Sequence, residues 1–172
     1  FKIPFKIWNG ESNLDNVITR KTKVFAITAV SNVLGTINPI KDVVQKVKNI
    51  NPQCLVVVDA AQAVPHMKVD VQDWGADFVA FSSHKMLGPT GVGVLWGKME
   101  RLENLHPYQY GGEMISEVFI EKTLFKKPPH KFEAGTPNIA GVIGFGAAID
   151  YLDHLGMDAV RQHEKEITSY AL

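Results

Sequence analysis

The sequence has 172 residues, of which 18 are basic and 18 acidic, so its formal net charge is zero, with 45% hydrophobic and 21% charged residues. Neutrality removes the electrostatic case for nucleic acid or an anionic membrane surface as the main partner. The composition is that of a globular chain rather than a disordered one, and the length sets an expectation of one domain.

Taken in chain order, the apolar-polar alternation of Phe1, Ile3, Phe5 and Ile7 reads as a strand that is already under way at the first residue. Three apolar, mostly β-branched runs follow, at residues 23–30 (KVFAITAV), 54–58 (CLVVV) and 78–81 (FVAF). Nearly continuous apolar runs, rather than alternating ones, predict strands of a parallel sheet covered on both faces. Between the first two, Ile40, Val43, Val44 and Val47 recur at helical spacing, and Pro39 suits a first helical turn, so residues 39–49 are predicted helical. Strand, helix and strand within about thirty residues make a βαβ unit. Residues 91–96 (GVGVLW) follow a Gly-Pro-Thr-Gly turn so closely after the third strand that the pair reads as an antiparallel hairpin at a sheet edge. Residues 107–138 carry Gly, Pro and charge with weak periodicity and read as functional loop or interface. Two helices close the chain, roughly 140–155 and 158–172, the second meeting no Gly, Asn or Pro stop. Both ends therefore read as cuts through elements, and the sequence is taken as a piece of a longer polypeptide. No signal-peptide pattern opens it, and the longest apolar run, residues 139–149, is too short to span a bilayer. A lone cysteine, Cys54, forms no internal disulfide or CxxC metal site and fits a reducing compartment.

Ligands of open α/β sheets collect beyond the carboxyl ends of the strands. The first predicted strand runs into Ser31-Asn32-Val33-Leu34-Gly35, the second into Asp59-Ala60-Ala61-Gln62, and the third into Ser82-Ser83-His84-Lys85 and then Gly88-Pro89-Thr90-Gly91. Singly, each has a plain structural reading: Asp59 as a helix cap, Asn32 as a turn residue, Lys85 as a solvated lysine, His84 as a hydrogen-bonded turn histidine, Ser82 as a loop hydroxyl. Plain readings for three successive strand ends must all hold together, and the combination suits one cofactor. Pyridoxal phosphate needs a lysine amine for its aldehyde, which Lys85 supplies at a strand end. It needs a carboxylate to keep its ring nitrogen protonated, so that the ring acts as an electron sink, and Asp59 is the candidate. Gln62, three residues on, is placed to donate to the ring hydroxyl, while Ser82 and His84 beside the lysine suit the phosphate. Nucleotide motifs fail, because Gly97-Lys98 continues into Met99 and Gly91-Val92-Gly93 lacks the third glycine of a dinucleotide fingerprint. The six histidines show no HExxH or other ligand spacing, so no metal site is expected.

These segments, together with Met86-Leu87-Gly88-Pro89-Thr90-Gly91-Val92-Gly93 and Phe132-Glu133-Ala134-Gly135-Thr136-Pro137-Asn138, resemble the class V aminotransferase superfamily. Within it they look most like the SUF-type (group II) cysteine desulfurases, related to selenocysteine lyase. Four ordered motifs carry the resemblance from about Ile7 onward. The Pro-Thr-Gly after Gly88 and the Phe-Glu-Ala-Gly-Thr-Pro-Asn box favour the SUF type over the ISC type. The resemblance implies the three-layer, mostly parallel sheet of the fold-type I large domain, with residues 1–172 forming part of it and an N-terminal segment and a C-terminal small domain lying outside.

It further implies a homodimer that takes sulfur from L-cysteine, leaving alanine and an enzyme persulfide for iron–sulfur cluster assembly. A sulfur-acceptor protein of the SUF system is the implied partner, and the cytoplasm the implied place, or a plastid in a eukaryote. Lys85 would carry the cofactor, Asp59 would face the ring nitrogen, and Gln62 and Asn32 the ring hydroxyl. Ser82 and His84 would hold the phosphate, and Thr136 would reach the partner subunit's phosphate beside the Gly111-Gly112 loop. The family's ring-stacking histidine and first phosphate loop would precede Phe1. Its sulfur-accepting cysteine and substrate-binding arginine would follow Leu172. Cys54, at the far end of its strand, reads as a small buried hydrophobe rather than that cysteine. Two rivals stay open: another class V enzyme (selenocysteine lyase, aminotransferase, epimerase or a kynureninase-like hydrolase), and a non-catalytic scaffold of the same fold.

Overall fold

The computed structural model describes residues 3–10 and 13–172. Its frame is a four-stranded sheet in the order β1 (Val24–Thr28), β2 (Leu55–Asp59), β3 (Phe78–Ser82) and β4 (Gly93–Gly97). The first three strands are parallel, and β4 returns antiparallel along the outer edge of β3. The edge hairpin expected from the short connection is thus present. The register levels Thr28 with Asp59 and Asp59 with Ala80, which brings the three parallel strands to one rim.

The segment at 3–10 does not form the strand expected from its alternation, and residues 1–2 lie outside the described residues. Ile3, Phe5 and Ile7 are each more than four-fifths exposed. Alternation alone does not make a strand, because the backbone groups need a partner ladder, and among the described residues none runs beside this segment.

α1 (Ile40–Ile50) forms as its spacing predicts, with Pro39 one residue earlier than expected, at the cap. Asp42 near its start and Lys48 near its end complement the helix dipole. Ile40, Val43, Val44 and Val47 are all buried and pack with Phe25, Val56, Val58 and Val79, which the register places on one face of the sheet. Asn51 ends the helix with its backbone N–H on the Val47 carbonyl, while its side chain donates to the carbonyls of Thr19 and Thr22.

After β2 the chain coils through residues 60–67 rather than entering a helix. The short α2 (Val71–Trp74) follows, capped by the Asp70 carboxylate and ended by Gly75 at φ 70. α3 (Met99–Asn104) follows β4, and a small antiparallel hairpin, β5 (Ile115–Val118) and β6 (Thr123–Phe125), occupies the segment expected to be loop. α4 (Ile139–Leu155) and α5 (Met157–Ala171) complete the chain close to the expected limits. Phe145 and Leu152 of α4 pack with Met86 and lie against Phe81 and Val94, which share the α1 side of the sheet.

Both long packing helices therefore cover the same face. Among the described helices, the short α3 approaches the other face, where Leu102 meets the side of Gly97 next to Phe78, and Val24 and Leu95 remain more than half exposed there. The near-continuous apolar strands match a sheet covered twice, and the described residues supply one cover in full.

Candidate functional site

The rim where β1, β2 and β3 end gathers most of the residues singled out in the sequence. Asp59 is the last residue of β2 and is exposed at the rim. Its Oδ1 accepts from the Ala61 N–H at 2.9 Å, so the carboxylate is pinned by its own turn rather than capping a helix, and its other oxygen has no partner among the described residues. Asn32, in the loop after β1, accepts at Oδ1 from the Gln62 Nε2 amide. This side-chain bond joins the ends of two adjacent strands and leaves the second N–H of Gln62 available. The Ala60 amide donates to the Ala80 carbonyl, and the Ala29 amide to the Asp59 carbonyl, so all three rim segments are locked at backbone level.

β3 ends at Ser82 and passes into a 3₁₀ turn over Ser83–Lys85. Lys85 is half-buried and its ammonium makes no hydrogen bond or ion pair with any described residue; His84 is exposed and likewise unpaired. The turn is held by the Ser83 carbonyl, which accepts from the N–H groups of Met86 and Gly88, and by Met86, which is buried against Phe145 and Leu152. Leu87 sits at φ 63, a conformation costly for a branched side chain and one that persists only where surrounding contacts impose it. Gly88 has no room for a side chain: a Cβ there would lie 2.2 Å from Ser83 Oγ and 3.1 Å from both Phe145 and the Ser83 carbonyl.

Thr136 is not part of this cluster. It lies exposed just ahead of α4, on the segment whose Asn138 side chain caps Gly141 and approaches the Gly91 turn that ends the lysine loop. Cys54 lies immediately before β2, fully buried at the end of the strand opposite Asp59, and burial pushes its thiol above the ordinary range. No group of three or more His, Cys, Asp or Glu side chains able to hold a metal occurs among the described residues.

The donor set fits pyridoxal phosphate. A carboxylate with a free oxygen, a paired amide with a spare N–H, an unpaired lysine amine and an imidazole beside a serine hydroxyl stand on three adjacent strand ends, each on a backbone-locked support. What the sequence did not single out is the apolar cluster that Met86, the residue after the lysine, enters: Phe145 and Leu152, with Val64 and Met157 packed against them. The seven-residue step between Phe145 and Leu152 on one helix face was its visible trace.

The sequence profile of the family described as Aminotransferase class-V matches residues 8–172. A probable cysteine desulfurase of Streptomyces coelicolor is 53% identical over 161 residues, covering 94% of this chain and 38% of that protein. One of Halalkalibacterium halodurans is 51% identical, over 93% of this chain and 39% of that protein. The chain therefore spans about two fifths of the length of these curated relatives. Among solved structures, a cysteine desulfurase of Escherichia coli in its S-sulfonic acid form superposes with a TM-score of 0.80 at 40% identity, covering 85% of this chain and 36% of that one. The apo structure of a cysteine desulfurase from Thermococcus onnurineus gives 0.82 at 38% identity, over 88% and 38%. The parallel sheet, its antiparallel edge strand and the rim it levels are those of a known architecture, and the chain belongs to the aminotransferase class-V family.

Proposed function

We propose that this chain is part of the large domain of a pyridoxal-phosphate-dependent cysteine desulfurase of the SUF type, which takes sulfur from L-cysteine and passes it to an acceptor protein for iron–sulfur cluster assembly. The observation that carries the reading is the convergence of Asp59, the Asn32–Gln62 pair and unpaired Lys85 on three adjacent strand ends. Names given to relatives at about 50% identity support the substrate, and the Pro-Thr-Gly and Phe-Glu-Ala-Gly-Thr-Pro-Asn segments support the subtype.

Pyridoxal phosphate, when bound, supplies an electron sink for charge developing beside the substrate's α-carbon. Lys85 would hold the cofactor through its aldehyde, and its Nζ, when free, would carry a proton. Asp59, oriented through Oδ1 by the Ala61 amide, would use its other oxygen to hold a proton on the ring nitrogen. Gln62, fixed by Asn32, would offer its remaining N–H to the ring hydroxyl. Ser82 and His84 would hold the phosphate. A homodimer is supported by the outer face of α4, where Ile139, Val142 and Ile143 are each more than half exposed, next to the segment carrying Thr136. In that dimer Thr136 would serve the partner's phosphate. The single cysteine, buried and with its thiol pushed up, accords with a reducing compartment such as the cytoplasm.

The test is made in the complete polypeptide. Lys85→Ala is expected to keep the fold, to lose the covalently held cofactor, and to lower alanine release from cysteine by about 10³-fold or more. Borohydride trapping that places the cofactor on another lysine overturns the assignment.

A further inference from the structure

α5 touches the rest of the molecule through little. Met157 at its start leans on the cluster of Met86, Phe145 and Leu152, none of its residues is buried, and Ile167 and Tyr170 face solvent. Among the described residues a single side-chain polar contact ties it to another element: His66 Nδ1 and Glu164 Oε1 stand 2.5 Å apart, 98 residues separated in sequence. The pair is partly shielded, the His66 side chain 46% and the Glu164 side chain 27% exposed, and the second Glu164 oxygen faces Arg161 of the same helix at 3.9 Å.

His66 ends a coil that begins at the rim. The Ala60 carbonyl accepts from Ala63 and Val64, and the Ala63 carbonyl accepts from His66 and Met67. Ala60 and Ala63 are fully buried, so the coil has little freedom to bend between its ends. At one end it carries Asp59, and Gln62 within it is bonded to Asn32. Val64, between Gln62 and His66, rests on the same cluster that supports Met86, next to Lys85. A force applied at His66 therefore reaches the rim through a short, internally bonded segment.

We propose that His66 and Glu164 form a clasp through which α5 sets the pose of the coil bearing Asp59 and Gln62, making His66 a positioning residue for the rim. Its connection to catalysis rests on the function proposed above; the clasp itself does not. The geometry gives it a direction. Displacement of α5, which spans the last residues of this sequence, changes where the Gln62 amide and the Asp59 carboxylate stand without touching either.

Hydrogen exchange in the complete polypeptide, with and without cofactor, tests this. In cofactor-free protein, His66→Ala and Glu164→Ala are each expected to speed exchange about fivefold or more both at residues 157–171 and at residues 60–67, with the double variant no faster than either single one. His66→Asn, whose amide nitrogen can stand near Nδ1, is expected to restore protection in both segments. In loaded protein the same order is expected in the rate of cofactor release. Faster exchange confined to 157–171, or additive effects of the two substitutions, overturns the clasp. Should His66→Ala fail to fold, Glu164→Ala, on a largely exposed helix that favours alanine, decides alone. A wild type that takes up no cofactor refutes the proposed function while leaving the cofactor-free exchange decisive for the clasp.

Discussion

Ser83 is fully buried, and its hydroxyl has no hydrogen-bond partner among the described residues. A buried, unmade hydrogen bond costs about 1–3 kcal/mol, so Ser83→Ala is expected to stabilise the protein by about 1 kcal/mol, read from urea unfolding. An unchanged or lowered midpoint would show that the hydroxyl is satisfied. The same atom explains the glycine opposite it. Gly88→Ala places a methyl against the Ser83 hydroxyl, the Ser83 carbonyl and Phe145, a close-packed site where overpacking costs about 1–3 kcal/mol. Adding Ser83→Gly should recover part of that loss and no more, since the carbonyl and the ring remain. Recovery in full would mean that the hydroxyl alone fixes the residue at 88. Both residues stand in the quoted Ser-Ser-His-Lys and Gly-Pro-Thr-Gly segments, yet neither reveals the other in the sequence. Their contact depends on a turn whose Leu87 adopts a conformation no side-chain pattern announces.

The elements are joined far from the rim by one carboxylate. Asp77, fully buried immediately before β3, accepts at Oδ2 from Lys48 of α1 at 2.6 Å and from the Val56 amide of β2 at 2.8 Å, and at Oδ1 from Arg101 of α3 at 3.0 Å. Burial pushes its carboxyl up, but the Lys48 hydrogen bond, the Val56 amide, the Lys48 charge and the Arg101 bond outweigh that and hold it below the ordinary value. A carboxyl depressed on folding stabilises above its unfolded pKa, near 3.9, and that contribution is lost as pH falls through the folded value. Asp77→Asn is therefore expected to cost about 3 kcal/mol at pH 7, the scale of a buried pair broken on one side, with the gap to wild type closing below about pH 4. A gap independent of pH would assign the loss to packing alone. This joint was not legible in the sequence: Lys48 reads as a dipole-complementing end of α1, and Asp77 as a polar residue before a strand. Strands β1 to β4 were legible within a residue or two, because β-branched runs bounded by turn residues have few other uses, whereas the alternation at residues 3–7 announced a strand that does not form. β5 and β6 were not, since Ile115–Val118 and Thr123–Phe125 are too short and too exposed to show a period.

At the scale of the molecule, the apolar character of the strands exceeds what the described helices cover. Val24 and Leu95 lie more than half exposed on the face opposite α1 and α4. The 172-residue polypeptide made alone is expected to bind an apolar dye through this face, and Val24→Lys with Leu95→Lys to reduce the signal by about half or more. Dye binding unaffected by the pair would place the apolar surface elsewhere, for instance on α4. The candidate site was more legible than the fold's edges because three strand ends in register bring distant residues together by topology alone. Thr136 lies outside that register, which is why its place followed from resemblance rather than from the sheet.

The antiparallel return of β4 has a further meaning. Ser82 pairs with Gly93, and the Ser83 amide donates to the Val92 carbonyl, so the segment carrying Lys85 leaves the sheet and re-enters it at neighbouring points. Such a segment behaves as a cassette. Its two anchors share one ladder, so changes within it leave the register of the surrounding strands untouched, and drift of the other strands does not stretch it. Variation in reactivity among proteins of this architecture can accordingly accumulate inside the ring from Ser83 to Val92 as a local exchange of parts, with the sheet serving as a socket that need not be rebuilt.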